Sequence, residues 1–184
     1  MGEGDEYALI KQAQNDPQAF GELYRRYVNR IYNYHYRHTG NRADAEDLTS
    51  QTFQRALRYL RKYRHRGTFQ AWLFKIAHNL MANHHRDRGR HPQVTMDAVA
   101  PLVTEKGQPG EALSIREETA HLLHVISTLP EERQTLIGLK FVEELSNAEI
   151  AEVLGRTEGA VKALYYRTLH YLREIMVEVE SHEA

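Results

Sequence analysis

The sequence contains no cysteine, which excludes disulfide staples, thiolate metal sites and cysteine nucleophiles, and fits a reducing cytosol. No stretch of the chain approaches the roughly 20 consecutive apolar residues that span a bilayer. The opening MGEGDEYALIKQAQ is acidic and lacks the apolar centre of a secretion signal. A cytoplasmic protein with no direct membrane insertion is expected. Walker-type phosphate loops, the GxSxG elbow and the HExxH zinc pair are all missing. No catalytic residue, metal site or cofactor is therefore assigned, and catalysis is expected to belong to a partner. Proline is scarce, and three of the five prolines fall in residues 91–110 with two glycines and no sustained periodicity. That segment reads as a flexible linker. No strand pattern is present, so the expected fold class is all-α.

What the chain does have is charge, unevenly placed. Its formal net charge of -1 hides a segregation: residues 1–92 hold 16 Lys and Arg against 9 Asp and Glu, and residues 93–184 hold 8 against 16. Two small helical domains with different surfaces are expected, over 1–90 and 111–184, the first suited to a polyanion. With 184 residues and 41% hydrophobic content, the chain can bury a core as one medium domain or as two small ones.

Capping signals place the helices. Asp16-Pro17 opens one that runs to Gly40; a second spans about Ala43 to Tyr63; Gly67-Thr68 breaks the chain and caps a third from Phe69 to about Asp87. Beyond the linker, four more helices are expected within 113–129, 130–145, 146–155 and 157–176. Ser146 and Glu149 form a capping box, and Leu145 and Ile150 stand at the two positions of a hydrophobic staple.

Residues 147–167 match a helix-turn-helix. Ala151 suits a close helix crossing, Gly155 a left-handed turn, and Ile150, Leu154, Val161 and Leu164 the buried positions. With a second helix starting near Thr157, the residues Thr157, Glu158, Lys162, Ala163, Tyr166 and Arg167 point outward along the face that enters a major groove. Lys162 and Arg167 are the leading candidates for contacts to bases or phosphates. The acidity of this half opposes DNA binding, so weak affinity without a larger partner is expected.

In the first half, Leu48, Thr52, Phe53, Ala56, Leu57 and Leu60 make one apolar side of a helix, opposite a polar stripe of Asp47, Gln51, Gln54 and Arg58 that is ordinarily just a solvated face. On the next helix Lys75, Asn79, Ala82 and Arg86 form an exposed stripe. Tyr63, Arg64, His65, Arg66 and Phe69 surround its preceding loop. Aromatics, amides and guanidiniums together suit unstacked single-stranded bases. Trp72, the single tryptophan, is expected in the core rather than as a base platform. His78 and His85, seven apart, share a helix face and invite a zinc-hydrolase reading, but Asp87 is the only carboxylate nearby in sequence. Asp44, Glu46 and Asp47 are better explained by the dipole of a helix N-terminus than by acid–base chemistry.

DPQAFGELYRRY, AEDLTSQTFQRAL, FQAWLFKIAHN running to HHRDR, and LPEERQTLIGLKF followed by LSNAEIAEVLGRTEGAVKALYYRTLHYLRE resemble, in order and spacing, the extracytoplasmic-function class of bacterial sigma factors. The resemblance implies that 1–90 corresponds to region two and 111–184 to region four, with core RNA polymerase and promoter DNA as partners and an anti-sigma factor as the common regulator. It further implies that Asp47, Leu48, Gln51, Thr52 and Phe53 dock on the clamp helices of the polymerase. Tyr63, Arg64, His65, Arg66 and Phe69, with Lys75, Asn79 and Arg86, would hold the minus-ten element, and the recognition helix would read the minus-thirty-five element. Ala163 and Leu164 depart from the small polar and basic residues common at those positions. A stand-alone helix-turn-helix regulator is the alternative within the same binding class.

Overall fold

The computed structural model describes residues 3–64, 67–88 and 121–180, and every regular element among them is helical. The linker expected over 91–110, and the loop residues His65 and Arg66, lie outside the described residues.

The first helix, α1 (Glu3–Ala13), has no counterpart in the sequence reading. It is held by Ile10 and Ala13, which enter the core, and by Gln14 just beyond it. The Gln14 amide donates to the carbonyls of Leu60 and Tyr63 at 3.1 and 3.2 Å, satisfying acceptors left open at a helix end. Helix α2 (Pro17–Thr39) begins and ends as expected. The Asp16 side chain accepts from the Gln18 N–H, and Gly40 closes the helix in the left-handed conformation.

Helix α3 (Arg42–Leu60) is capped by Asn41 and stops three residues short of the expected Tyr63. There the N–H groups of Lys62 and Tyr63 turn back onto the carbonyls of Tyr59 and Leu60. Helix α4 (Phe69–Arg88) starts where Thr68 accepts from the Ala71 N–H.

In the second half the described helices are α5 (121–128), α6 (Glu131–Ile137), α7 (Asn147–Leu154) and α8 (Glu158–Glu180). The single helix expected over 130–145 is interrupted by a π-helical turn, Gly138–Val142, whose last N–H bond runs from Glu143 to Gly138. Glu144 then adopts a left-handed conformation, φ 55°, that costs a residue with a Cβ roughly 1–2 kcal/mol. The capping box of Ser146 and Glu149 is formed, and the staple residues Leu145 and Ile150 are both buried. Gly155, at φ 64°, makes the tight turn into α8, where its missing Cβ avoids the left-handed penalty.

The two halves are not separate bodies among the described residues. One apolar cluster runs from Leu23, Ile31 and Phe74 of the first half to Leu136, Ile150 and Val161 of the second. Polar contacts cross the same seam. The Glu143 side chain is only 2% exposed and is gripped by Arg30 Nε at 2.8 Å and Arg37 Nη2 at 3.1 Å. Its carbonyl accepts from Arg30 and from the Gln70 amide. A charge this deeply buried is tolerable only while its partners stay, and removing one member of such a pair costs about 3–5 kcal/mol.

His38 adds a second polar link. Its Nδ1–H donates to the Tyr34 carbonyl, so Nε2 must accept from the Thr135 hydroxyl, at 2.9 Å, on α6. Burial holds its pKa down to about 3, so the ring is neutral here.

Candidate nucleic-acid interface

Helix α4 presents Lys75, Asn79, Ala82 and Arg86 to solvent, as its periodicity requires. Opposite that stripe, Leu73, Phe74 and Ala77 are fully buried and fix the helix rotation. The loop before α4 ends at Gly67, whose φ of 147° favours glycine; the Glu152 carboxylate comes within 2.8 Å of where a Cβ would stand and would have to swing aside for one.

Beside the loop stand three rings. Trp72 lies 4.9 Å from Tyr63 and 5.4 Å from Phe69, centroid to centroid. Trp72 is half-buried against the core, as expected. Phe69 is not available to a base: it is 1% exposed and packs on Tyr27, because the first residue of α4 turns inward to anchor the helix. Tyr63 is half-buried and donates its hydroxyl to the Gly67 carbonyl, while Arg64 is exposed. Burial pushes the Tyr63 hydroxyl pKa up to about 12, so it stays a donor.

The residues placed on the recognition helix are all at the surface. Thr157, Glu158, Lys162, Ala163, Tyr166 and Arg167 are exposed, and Tyr166 is 68% exposed. The helix begins at Glu158, with the Thr157 hydroxyl accepting from the Ala160 N–H. Lys162 pairs with Glu158 at 2.7 Å, and that carboxylate raises its pKa. Arg167 folds back onto the Ala163 carbonyl. The local cation is thus already neutralised in part, which agrees with a weak duplex reader.

The five residues expected to dock on a polymerase divide. Asp47 is exposed and Gln51 half-buried, with the Gln51 amide donating to Asp47. Leu48, Thr52 and Phe53 are buried, at 3%, 0% and 5% exposure. Leu48 packs on Leu80 and Met81 of α4; Phe53 meets Tyr24 edge-on; Thr52 donates to the Leu48 carbonyl and accepts from His35 Nε2. They hold the helix in place rather than touch a partner.

A neighbouring feature escaped the sequence reading. An open groove of about 550 Å³ between α2 and α3 is lined by Tyr24, Val28, Tyr32, Gln54 and Leu57. Leu57, expected on the buried side, is 52% exposed, and Tyr24 is 42% exposed. Only the angle between two helices decides this, so one helix's periodicity could not reveal it.

The histidines have structural partners. The Tyr34 hydroxyl and His78 Nδ1 share a hydrogen bond at 3.0 Å, and His85 lies 3.5 Å from Glu131. Among the described residues no three potential metal ligands converge. Likewise no described helix is long and apolar enough to cross a membrane. At the start of α3, Asn41 accepts from the Asp44 N–H, the Asp44 carboxylate lies 3.8 Å from His84 Nε2, and Glu46 pairs with Arg42.

Comparison with known proteins places both halves. Residues 23–91 match Sigma-70 region 2 and residues 120–172 match Sigma-70, region 4. The chain is 36% identical to the ECF RNA polymerase sigma factor BldN of Streptomyces coelicolor over 91% of its own length, and spans 64% of that relative. It is 31% identical to the ECF RNA polymerase sigma factor SigW of Bacillus subtilis, over 90% of this chain and 93% of SigW. Among solved structures, CnrH in complex with the cytosolic domain of CnrY has a similar fold, with a TM-score of 0.62 at 24% identity over 93% of this chain and 96% of the other. A region-two match on α2 to α4 has no place in a stand-alone helix-turn-helix regulator. From the paired regions, their order and near end-to-end similarity to SigW, the chain belongs to the extracytoplasmic-function class of sigma-70 family sigma factors.

Proposed function

We propose that this protein directs core RNA polymerase to a bipartite promoter and promotes initiation, with RNA synthesis itself belonging to the polymerase. The observation that carries the reading is that region two and region four occur in order on one chain. Exposure of the two DNA stripes, Lys75, Asn79 and Arg86 on α4 and Thr157, Lys162 and Arg167 on α7–α8, supports it.

The division of labour follows from the chemistry. An exposed amide and cations on the helix that carries Trp72 suit a base drawn out of the stack, and capture of that base offsets the few kcal/mol of unstacking. The recognition helix, poor in free cations, becomes effective once tethered to a second contact on the same polymerase. Residues 1–90 are assigned to polymerase docking and the minus-ten element, 111–184 to the minus-thirty-five element, and 91–110 to the linker. For docking, Asp47 and Gln51 remain the surface candidates, and the groove between α2 and α3, lined by Tyr24 and Leu57, is a separate exposed apolar surface on the same helix. An anti-sigma factor is the regulator this family membership suggests.

The test is transcription in vitro with purified core polymerase and a randomised promoter library. Start sites enriched for one paired upstream and downstream sequence are expected; a library transcribed without sequence preference refutes the assignment.

A further inference from the structure

A cavity of about 480 Å³ lies where the two halves meet, and neither DNA stripe borders it. Helix α2 supplies Tyr34, Arg37 and His38; the second half supplies an apolar wall of Leu122, Ile126, Phe141, Leu169 and Leu172, together with the polar Gln134 and Thr135. Its size falls within the roughly 300–1,000 Å³ of small-molecule sites. Leu122 and Phe141 are 37% and 55% exposed, so the apolar wall reaches the surface and a ligand can enter.

The polar groups on this wall are few and of one sign. Among the described residues lining the cavity, Arg37 is the single charged side chain and none is a carboxylate. His38 beside it is neutral, because burial holds its pKa down to about 3. Among the described residues the Arg37 guanidinium commits one of its five donors, to Glu143 at 3.1 Å. That carboxylate also takes Arg30, so two guanidiniums share one carboxylate and one positive charge is left over in the cluster. Gln134 adds an acceptor. Its amide donates to the carbonyls of Ser127 and Leu129 at 3.0 and 2.6 Å, which fixes its orientation and leaves the buried Oε1 with no partner among the described residues. Gly138 keeps the cavity open. Its φ of -58° and ψ of -49° are ordinary helix, where glycine is less favourable than alanine, and a Cβ there would meet nothing within 4 Å. Neither strain nor crowding asks for glycine at this position. It opens the π-helical turn that carries Phe141, an element that recurs at functional positions.

We propose that this cavity is a binding site for a small amphipathic carboxylate, its head group paired with Arg37 and its hydrocarbon lying among Leu122, Ile126, Phe141, Leu169 and Leu172. A carboxylate matches the planar donor fork of a guanidinium, and burial of the tail supplies the remaining affinity. A ligand that also carries a hydroxyl gains the Gln134 acceptor. Because the walls belong to both halves, a bound molecule joins α2 to α5–α8 and stabilises the folded chain by mass action. The site is independent of the promoter reading and uses none of its DNA-contact residues.

The probe is decanoate, titrated calorimetrically into the full-length protein well below its micelle-forming concentration, with decanol and decyltrimethylammonium as uncharged and cationic controls. Neither polymerase nor DNA is present. One saturable site per chain is expected, with both controls weaker by about tenfold or more, and the melting temperature should rise in decanoate. Arg37→Gln should weaken decanoate by about tenfold while changing decanol by no more than about twofold. Since that change also loosens Glu143, a second variant keeps the test decisive. Gly138→Phe retains Arg37 and the helical backbone but fills the cavity, and should abolish both decanoate binding and the melting-temperature shift. Light scattering should give a monomer with and without decanoate. Decanol binding as tightly as decanoate, undiminished decanoate binding in either variant, or no saturable site in wild type overturns the proposal. So does a dimer that decanoate dissociates, because a second copy of the chain is then what fills the cavity.

Discussion

Single side chains here fall into those that hold the fold and those that are free to act, and burial separates them. Asp47 and Phe53 lie on the same helix and were both expected at a docking surface, yet one is exposed and the other 5% exposed against Tyr24. Phe53→Ala should cost about 3–5 kcal/mol in denaturant unfolding, the range for emptying a buried aromatic site. Asp47→Ala should change stability by no more than about 0.5 kcal/mol while weakening association with core polymerase, read by thermal melts beside a binding titration. Equal stability losses for the two would contradict the burial pattern.

The buried histidines make a separate statement about pH. Burial lowers both His35 and His38 to about 3 from an ordinary value near 6.5. The folded state thus binds fewer protons than the unfolded chain between those values, so stability is complete above about pH 7 and falls as pH drops toward 3. By pH 5 the loss should be about 2 kcal/mol per histidine. A melting temperature flat from pH 7 to pH 4 would be inconsistent with neutral buried rings.

At the scale of elements, capping chemistry decides where helices start. Ser146 and Glu149 exchange hydrogen bonds at the head of α7, the helix that positions the recognition helix behind Gly155. Ser146→Ala should lower stability by about 1 kcal/mol, measured as a shift in the denaturant midpoint at constant slope. The same chemistry explains which elements could be read from sequence. Asp16-Pro17, Gly40, Thr68 and the capping box are local signals, and each appears in the structure. Helix α1 was missed because its core contribution comes mainly from Ile10 and Ala13, too few positions for a period. The π-turn was missed because it has no distinctive residue pattern and sits inside an otherwise helical run. For the docking set, family positions drew Leu48, Thr52 and Phe53 to the surface although their own apolar spacing already placed them inside.

Across the whole molecule, the charge split was visible in the sequence but its use was not. Glu143 meets Arg30 and Arg37 across separations of 113 and 106 residues, which no local pattern encodes. Asn79 is exposed on the stripe between Lys75 and Arg86, and the proposed strand capture depends on it. Asn79→Ala should therefore impair open-complex formation several-fold, followed by permanganate reactivity of unpaired bases, with polymerase affinity little changed. Equal loss of both would argue against base capture.

The most direct measurement is a titration of the purified full-length chain with bacterial core RNA polymerase, with and without promoter DNA. Saturable binding to the polymerase, with promoter affinity appearing only in the joint complex, is expected. No association with core polymerase, or tight binding to one duplex operator by the protein alone, contradicts a sigma-factor role.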